Sequence, residues 1–303
     1  MDSQKRRVSA RRVARWLVGL GVLYAMLRWF EHSQIYHPSR EFDASPEELH
    51  RPFEEARFKA ADGVALHGWF FPANTNSPRE TSGPATQIAH RTSISRGEPR
   101  AQLVFLICHG NAGNVSHRLG LCGGLLETGA SVLVFDYRGY GRSEGRPGEE
   151  GTYRDAQAAY AWLRQKGFRG EQIVAFGESL GGGVVSELAL RETLGGVVLQ
   201  STFTSMPEIG AELFPWLPVR LLSTIKYDTR AKLPRIRVPV LVMHSRADDL
   251  AGFHHGERNI AAANEPKFFC ELNGGHNAAA WESPAFGEAI QNLLRLVAER
   301  ARP

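Results

Sequence analysis

The chain is poor in cysteine, with three in 303 residues: Cys108, Cys122 and Cys270. The number is odd, and each thiol lies in an apolar or helix-compatible stretch. That argues against a disulfide framework and predicts buried free thiols. No zinc-ligand spacing, glycine-rich phosphate loop or RNA-binding signature is present, so metal-finger, nucleotide and nucleic-acid partners have no motif to rest on. The formal net charge of +4 does not restore a nucleic-acid reading. Much of the excess sits in Lys5, Arg6, Arg7, Arg11, Arg12 and Arg15, so it describes one end of the chain.

A long hydrophobic run is also missing. The uninterrupted apolar part, Trp16 to Leu27, is about 12 residues, against the roughly 20 that span hydrocarbon. Counting Val13 to Phe30, with Arg15 and Arg28 snorkelling outward, gives a marginal span of about 18 residues. Trp16, Tyr24 and Trp29 suit an interfacial belt. No small-x-small cleavage site follows Phe30, which disfavours a signal peptide. The Arg11-Arg12 pair is followed by residues that fit a twin-arginine signal poorly. The expectation is an uncleaved membrane anchor over residues 1–30, with a signal peptide and an interfacial helix as alternatives. The basic cluster inside would put a bacterial catalytic domain, residues 31–303, in the periplasm beside the inner membrane.

What is present is globular, with 43% hydrophobic and 22% charged residues. Phe53 to Lys59 and Val64 to Phe71 predict an N-terminal β-hairpin around the Asp62-Gly63 turn. Residues 74–100 are polar, lack apolar periodicity and predict a flexible surface insertion. From residue 102 strands and helices alternate. Strands are expected over Leu103–Cys108, Ser131–Phe135, Ile173–Phe176, Gly196–Leu199, Val238–Met243 and Lys267–Leu272. Helices are expected over Val115–Thr128, Tyr153–Lys166, from the elbow to about Arg191, and over Trp281–Ala301. That rhythm predicts an α/β fold with a mostly parallel central sheet covered by helices on both faces. Residues 203–237 break it and suggest a small cap. They read either as a crossover helix or as an acyl-pocket lining around Phe214, Trp216 and Leu217.

In such a sheet chemistry collects after the C-terminal ends of the strands. The strand at Ile173–Phe176 runs into Gly177-Glu178-Ser179-Leu180-Gly181 and on into a helix. This is the nucleophile-elbow pattern in its strand-turn-helix setting, and it makes Ser179 the candidate nucleophile. Gly141-Arg142-Ser143-Glu144-Gly145 matches the same five positions, but it lies in a polar loop with no helix behind it. A serine hydroxyl needs a base, and the base needs an acid. The next strand ends are followed by Asp248-Asp249 and by Gly274-Gly275-His276, in the chain order Ser, Asp, His. His276 is the candidate base, and His254 and His255 read as surface residues where a helix begins. Either aspartate fits the acid, the other being a helix cap or loop ligand. The oxyanion donors are expected to be the backbone N–H of Leu180 and one from His109-Gly110-Asn111-Ala112, with Asn111 preferred over Ala112. His109 is expected to bond within that loop.

His109–Asn114, Asp136-Tyr137-Arg138-Gly139-Tyr140-Gly141, Gly177–Gly182 and Gly274–Asn277 together resemble the α/β-hydrolase superfamily over roughly residues 30–300. More narrowly they resemble a membrane-anchored serine-hydrolase branch that includes animal protein depalmitoylases and bacterial homologues. The resemblance implies a Ser179-His276-Asp248 triad, since in that branch the acid lies four residues after a strand-end histidine, here His244. It also implies no cofactor and no metal, and hydrolysis of small-molecule or lipid acyl esters or thioesters. A serine peptidase or amidase, or a non-catalytic membrane-anchored interaction module, are the rival expectations. Peptidase relatives usually carry a propeller or larger cap, for which this chain has no room.

Overall fold

The structure is a computed structural model that describes residues 2–73 and 102–301, with side chains from residue 15 onward. The insertion expected over residues 74–100 lies outside the described residues. Eight strands form one sheet. They are β1 (Glu54–Lys59), β2 (Ala65–Phe71), β3 (Val104–Cys108), β4 (Ser131–Asp136), β5 (Ile173–Glu178), β6 (Gly196–Gln200), β7 (Val240–Ser245) and β8 (Lys267–Leu272). Their spatial order is β8-β7-β6-β5-β3-β4-β2-β1. From β8 to β4 all neighbours are parallel, and the β1–β2 hairpin joins antiparallel at β4.

The apolar runs are continuous because both faces are buried, and alternate residues serve opposite cores. In β3, Val104, Leu106 and Cys108 face one core and Phe105 and Ile107 the other. Helices α3 (Glu149–Gln165) and α4 (Leu180–Arg191) cover the first face; α2 (Leu119–Leu126) and α9 (Pro284–Arg300) cover the second. All three cysteines are free and buried.

Helix ends depart from the sequence expectation for local reasons. The segment from Val115 begins as a 3-10 turn, because Asn114 accepts from the Ser116 N–H and Asp136 from the Val115 N–H. The α-helical part stops at Leu126, ahead of Gly129 at φ +84°. Helix α3 starts a turn early at Glu149, whose carboxylate accepts from the backbone of Lys226 and Tyr227. Trp281 is not part of the last helix. It packs over Gly120 and Gly124, where a Cβ would come within 2.6 and 2.8 Å of its side chain, and Pro284 opens α9 in the position proline favours.

Between β6 and β7 the cap region holds α5 (Met206–Leu213), α6 (Val219–Leu222) and α7 (Thr229–Lys232). Helix α8 (Phe253–Ala262) joins β7 to β8. At the other end of the chain, helix α1 runs unbroken over Asp2–Ile35, straight through the boundary expected at residue 30. Among the described residues no helix is long and apolar enough to cross a membrane. The physical reason is the one visible in the sequence: Arg15 and Arg28 bracket too short an apolar run. The last turns of α1 are not a linker. Ile35 and the following Tyr36 are buried in the domain core, and the Tyr36 hydroxyl meets that of Tyr227 at 3.0 Å.

The hairpin is tied to the sheet by Arg138. Its guanidinium donates to both oxygens of the fully buried Asp155, with a shortest contact of 2.8 Å, and to both oxygens of the more exposed Asp62. Burial pushes the Asp155 carboxyl above its usual range, against the opposing pull of Arg138. Removing one member of a buried pair leaves the other charge uncompensated. Arg138→Ala is therefore expected to lose about 3–5 kcal/mol of stability. Asp62→Ala, on the solvated side of the same cation, is expected to lose about 1 kcal/mol or less. Urea denaturation of both variants checks the difference, and equal losses would contradict it.

Candidate active site

Four loops meet above the C-terminal ends of β3, β5, β7 and β8. The turn after β5 is the sharpest. Ser179 sits at φ 51° and ψ −113°, a left-handed conformation that L-residues avoid and that surrounding structure must hold. The flanking glycines follow from proximity. A Cβ at Gly181 would lie 1.8 Å from the Cys108 carbonyl oxygen, and one at Gly177 would lie 2.6 Å from the carbonyl oxygen of Gly181. The strand thus delivers the serine to the rim while α4 leaves directly beneath it.

Ser179 Oγ lies 3.0 Å from Nε2 of His276. Nδ1 of the same ring is 2.9 Å from each oxygen of Asp248. A carboxylate only accepts, so Nδ1 carries the proton and Nε2 is left to accept from the serine hydroxyl. Burial works to raise the Asp248 pKa, but the hydrogen bond from His276 and the backbone N–H groups of Ala251 and Leu250 outweigh it. The carboxyl is held below its usual value. Asp249 takes the loop-ligand part: its Oδ1 accepts from the His276 backbone N–H at 3.0 Å. The two adjacent aspartates therefore hold one histidine by its ring and by its main chain. His244 supports the acid loop from below, with Nε2 donating to the Ala251 carbonyl at 2.6 Å.

The loop after β3 is held by the Asp136–Gly141 segment. The Tyr137 hydroxyl donates to the His109 carbonyl at 3.0 Å, and the Tyr140 hydroxyl to the Asn111 carbonyl at 2.7 Å. The Asn111 side chain turns away and donates to the Ile35 carbonyl. Asn111 and Leu180 both line the cavity that opens at Ser179, and Ala112 does not. His109 is fully buried, donates through Nδ1 to the Gly110 carbonyl, and has its pKa lowered by burial to about 3. It is a neutral loop brace.

Ser143, the second match to the elbow pattern, is fully buried. Its hydroxyl donates to the Asp136 carbonyl and accepts from the His67 N–H, so it pins the turn after β4 to the hairpin. His255 is not on the surface as expected. It is fully buried and tied to Thr204 and Glu212, because α8 packs that face against the start of the cap. Glu212, His254 and His255 form the set among the described residues with ligand atoms close enough for a metal. Burial lowers the His255 pKa, with Glu212 opposing.

Two contributors had no signal in the sequence. One is the Glu178–Arg118 pair at 2.6 Å, which ties the elbow to the turn before α2. The other is the end of α1. Leu27, Phe30 and Glu31 line the same cavity as Ser179, together with residues of α5 and α6. A helix 144 residues or more upstream of the serine leaves no local pattern pointing to that contact.

A sequence-family profile described as the alpha/beta hydrolase fold matches residues 104–223. Protein Rv2307c of Mycobacterium tuberculosis is 38% identical over 264 residues, covering 86% of this chain and 85% of that protein. Escherichia coli YfhR is 30% identical, covering 75% of this chain and 74% of its own length. Among solved structures, an esterase of Pyrococcus furiosus superposes with a TM-score of 0.63 at 19% identity, covering 86% of this chain and 97% of that one. An alpha-beta hydrolase of Vibrio vulnificus gives 0.64 at 18%, covering 84% and 88%. With its strand order, its elbow after β5 and a relative of this identity along most of its length, the chain belongs to the α/β-hydrolase family.

Proposed function

We propose that the protein is a serine hydrolase that cleaves carboxylic esters or thioesters through Ser179, His276 and Asp248. The observation that carries the reading is the single imidazole set between the other two side chains, at 3.0 Å from the hydroxyl and 2.9 Å from the carboxylate. Ser179 Oγ attacks the acyl carbon while its proton passes to His276 Nε2. The C–O or C–S bond then breaks, and the leaving group takes that proton from His276. The acyl group remains on Ser179 as an ester. A water gives its proton to His276 and attacks that ester, releasing the carboxylic acid and returning the proton to Ser179. Asp248 holds the ring in the productive tautomer and stabilises its cationic form. The backbone N–H groups of Leu180, at the start of α4, and Asn111 hold the oxyanion.

Ser179→Ala is expected to abolish labelling by a fluorophosphonate probe and hydrolysis of a short p-nitrophenyl ester. Asp248→Asn is expected to lower kcat by about three to four orders of magnitude, since the ring loses its tautomer control. Asp249→Asn, which touches only the main chain of His276, is expected to lose about tenfold or less. Steady-state kinetics of the three variants test the assignment, and comparable losses at Asp248 and Asp249 would sink it.

The pH profile carries a sign. The Asp248 carboxyl is held below its usual range by the hydrogen bonds it accepts, so its contribution to kcat/KM is present above the ordinary carboxylate range and is lost only as the pH falls below that range. A pH–rate profile of the wild type against Asp248→Asn checks this, and a wild-type loss through the carboxylate already complete at or above the ordinary carboxylate range would contradict it.

We also infer that α1 holds the protein at a membrane surface. Trp16, Leu17, Val18, Leu20, Val22, Leu23, Tyr24, Met26 and Trp29 are all exposed on it, and the basic residues before Trp16 complement anionic lipid. The full chain is expected to co-sediment with anionic phospholipid vesicles and to be weakened by salt. Recovery entirely in the supernatant would refute it.

A further inference from the structure

The cavity at Ser179 has a volume of about 360 Å³. Its lining includes Met206, Ile209 and Leu213 of α5 and Leu27 and Phe30 at the end of α1. Phe30 meets Phe214 edge to face at 5.9 Å, closing the space between the helix and the cap. Arg28, Glu31 and Ser223 on this lining form one polar cluster, with Arg28 Nε left buried and without a partner. The Glu31 carboxylate accepts from the Ser223 hydroxyl at 2.7 Å, from the Thr224 N–H at 2.8 Å and from the Ile225 N–H at 3.1 Å. Arg28 pairs with Glu31 at 2.6 Å and donates to the Leu222 carbonyl and the Thr224 hydroxyl. Burial works to raise the Glu31 pKa, but these hydrogen bonds outweigh it and keep the carboxyl charged. The α1 end is thereby latched to the segment leaving α6, and most of what faces the empty space is hydrocarbon.

Resting on the esterase reading above, we propose that the site takes a straight medium-to-long acyl chain laid between the end of α1 and the cap, with the Arg28–Glu31 latch keeping that wall in place. The volume sets the class. An apolar cavity of about 150 Å³ accommodates benzene, so about 360 Å³ accommodates roughly ten to fourteen carbons. The helix that carries nine of the fifteen large apolar residues exposed among the described residues also lines the acyl site, so an acyl group leaving a lipid layer meets an apolar path from Trp29 and Met26 to Leu27 and Phe30. Selectivity for chain length is then set by residues near the N-terminus as well as by the cap.

The experiment is a series of p-nitrophenyl esters from acetyl to hexadecanoyl, run on the full chain and on Leu27→Trp, Ile209→Trp and Glu31→Gln. In the unaltered protein kcat/KM should climb from acetyl to a maximum near decanoyl or dodecanoyl. Each methylene buried contributes up to about fourfold, and a total rise of at least about thirtyfold is expected. The two tryptophans fill the cavity from α1 and from α5, and each should lower the dodecanoyl-to-acetyl ratio at least tenfold. Glu31→Gln should lower it in the same direction by freeing the latch. The rate of fluorophosphonate labelling at Ser179 reports whether a variant is folded. Should Leu27→Trp fail to label, Gln34→Trp on the exposed last turn of α1 carries the same test of that helix. A falling or flat profile with short esters turned over overturns the acyl-site proposal and leaves the esterase reading intact. So does a ratio unmoved by both filling variants. Failure of every ester together with an unlabelled Ser179 overturns the esterase reading itself.

Discussion

The closest backbone approach in the site is the crossing of α4 over the end of β3. At Gly181 no side chain fits, because the Cys108 carbonyl oxygen occupies the place of its Cβ. That approach forces the turn, and the turn forces Ser179 to φ 51°. Such a residue costs about 1–3 kcal/mol and persists only where its surroundings determine it. Here the Ser179 N–H donates to the Gln200 carbonyl of β6, and its own carbonyl accepts from Gly182. The strained residue is held from the neighbouring strand and from its own helix. Its side chain is presented at the rim with the Leu180 N–H beside it.

The other site loops take their places relative to that fixed point. The loop after β3 is braced by two tyrosine hydroxyls on carbonyl groups, at His109 and Asn111. Both tyrosines belong to the segment after β4, which is itself anchored by Arg138 and Ser143. His276 is held twice, with Asp248 on its ring and Asp249 on its main chain. These restraints are hydrogen bonds between buried or half-buried groups, where a lost partner leaves an unsatisfied atom. The placement of the Ser179, His276 and Asp248 side chains thus rests on residues outside that trio.

Much of this was legible before any coordinate. Strands separated by helices, with apolar runs of five or six, predicted a sheet covered on both faces, and the observed strand limits agree within two residues. The elbow was separable from the match at Ser143 by what followed it in the chain. Helix ends were less legible, because Val115 and Trp281 are placed by partners distant in sequence: Asp136 for the first and the glycines of α2 for the second. His255 was read as a surface residue because its burial depends on α8 packing against the cap. The end of α1 was read as anchor alone, since nothing local marks Phe30 as a neighbour of Phe214.

What the sequence by itself determined was the alternation of strands and helices, and the placing of Ser179, Asp248 or Asp249, and His276 just after strand ends. Local sterics and apolar periodicity act over a few residues, so they can be read in order along the chain. The tertiary structure decided which aspartate faces the ring and what braces the loop at Asn111. It also decided that the N-terminal helix lines the cavity at Ser179. Those are contacts between segments 28 to almost 200 residues apart. They are selected by how the whole sheet and its cap pack, and no short stretch of sequence carries that information.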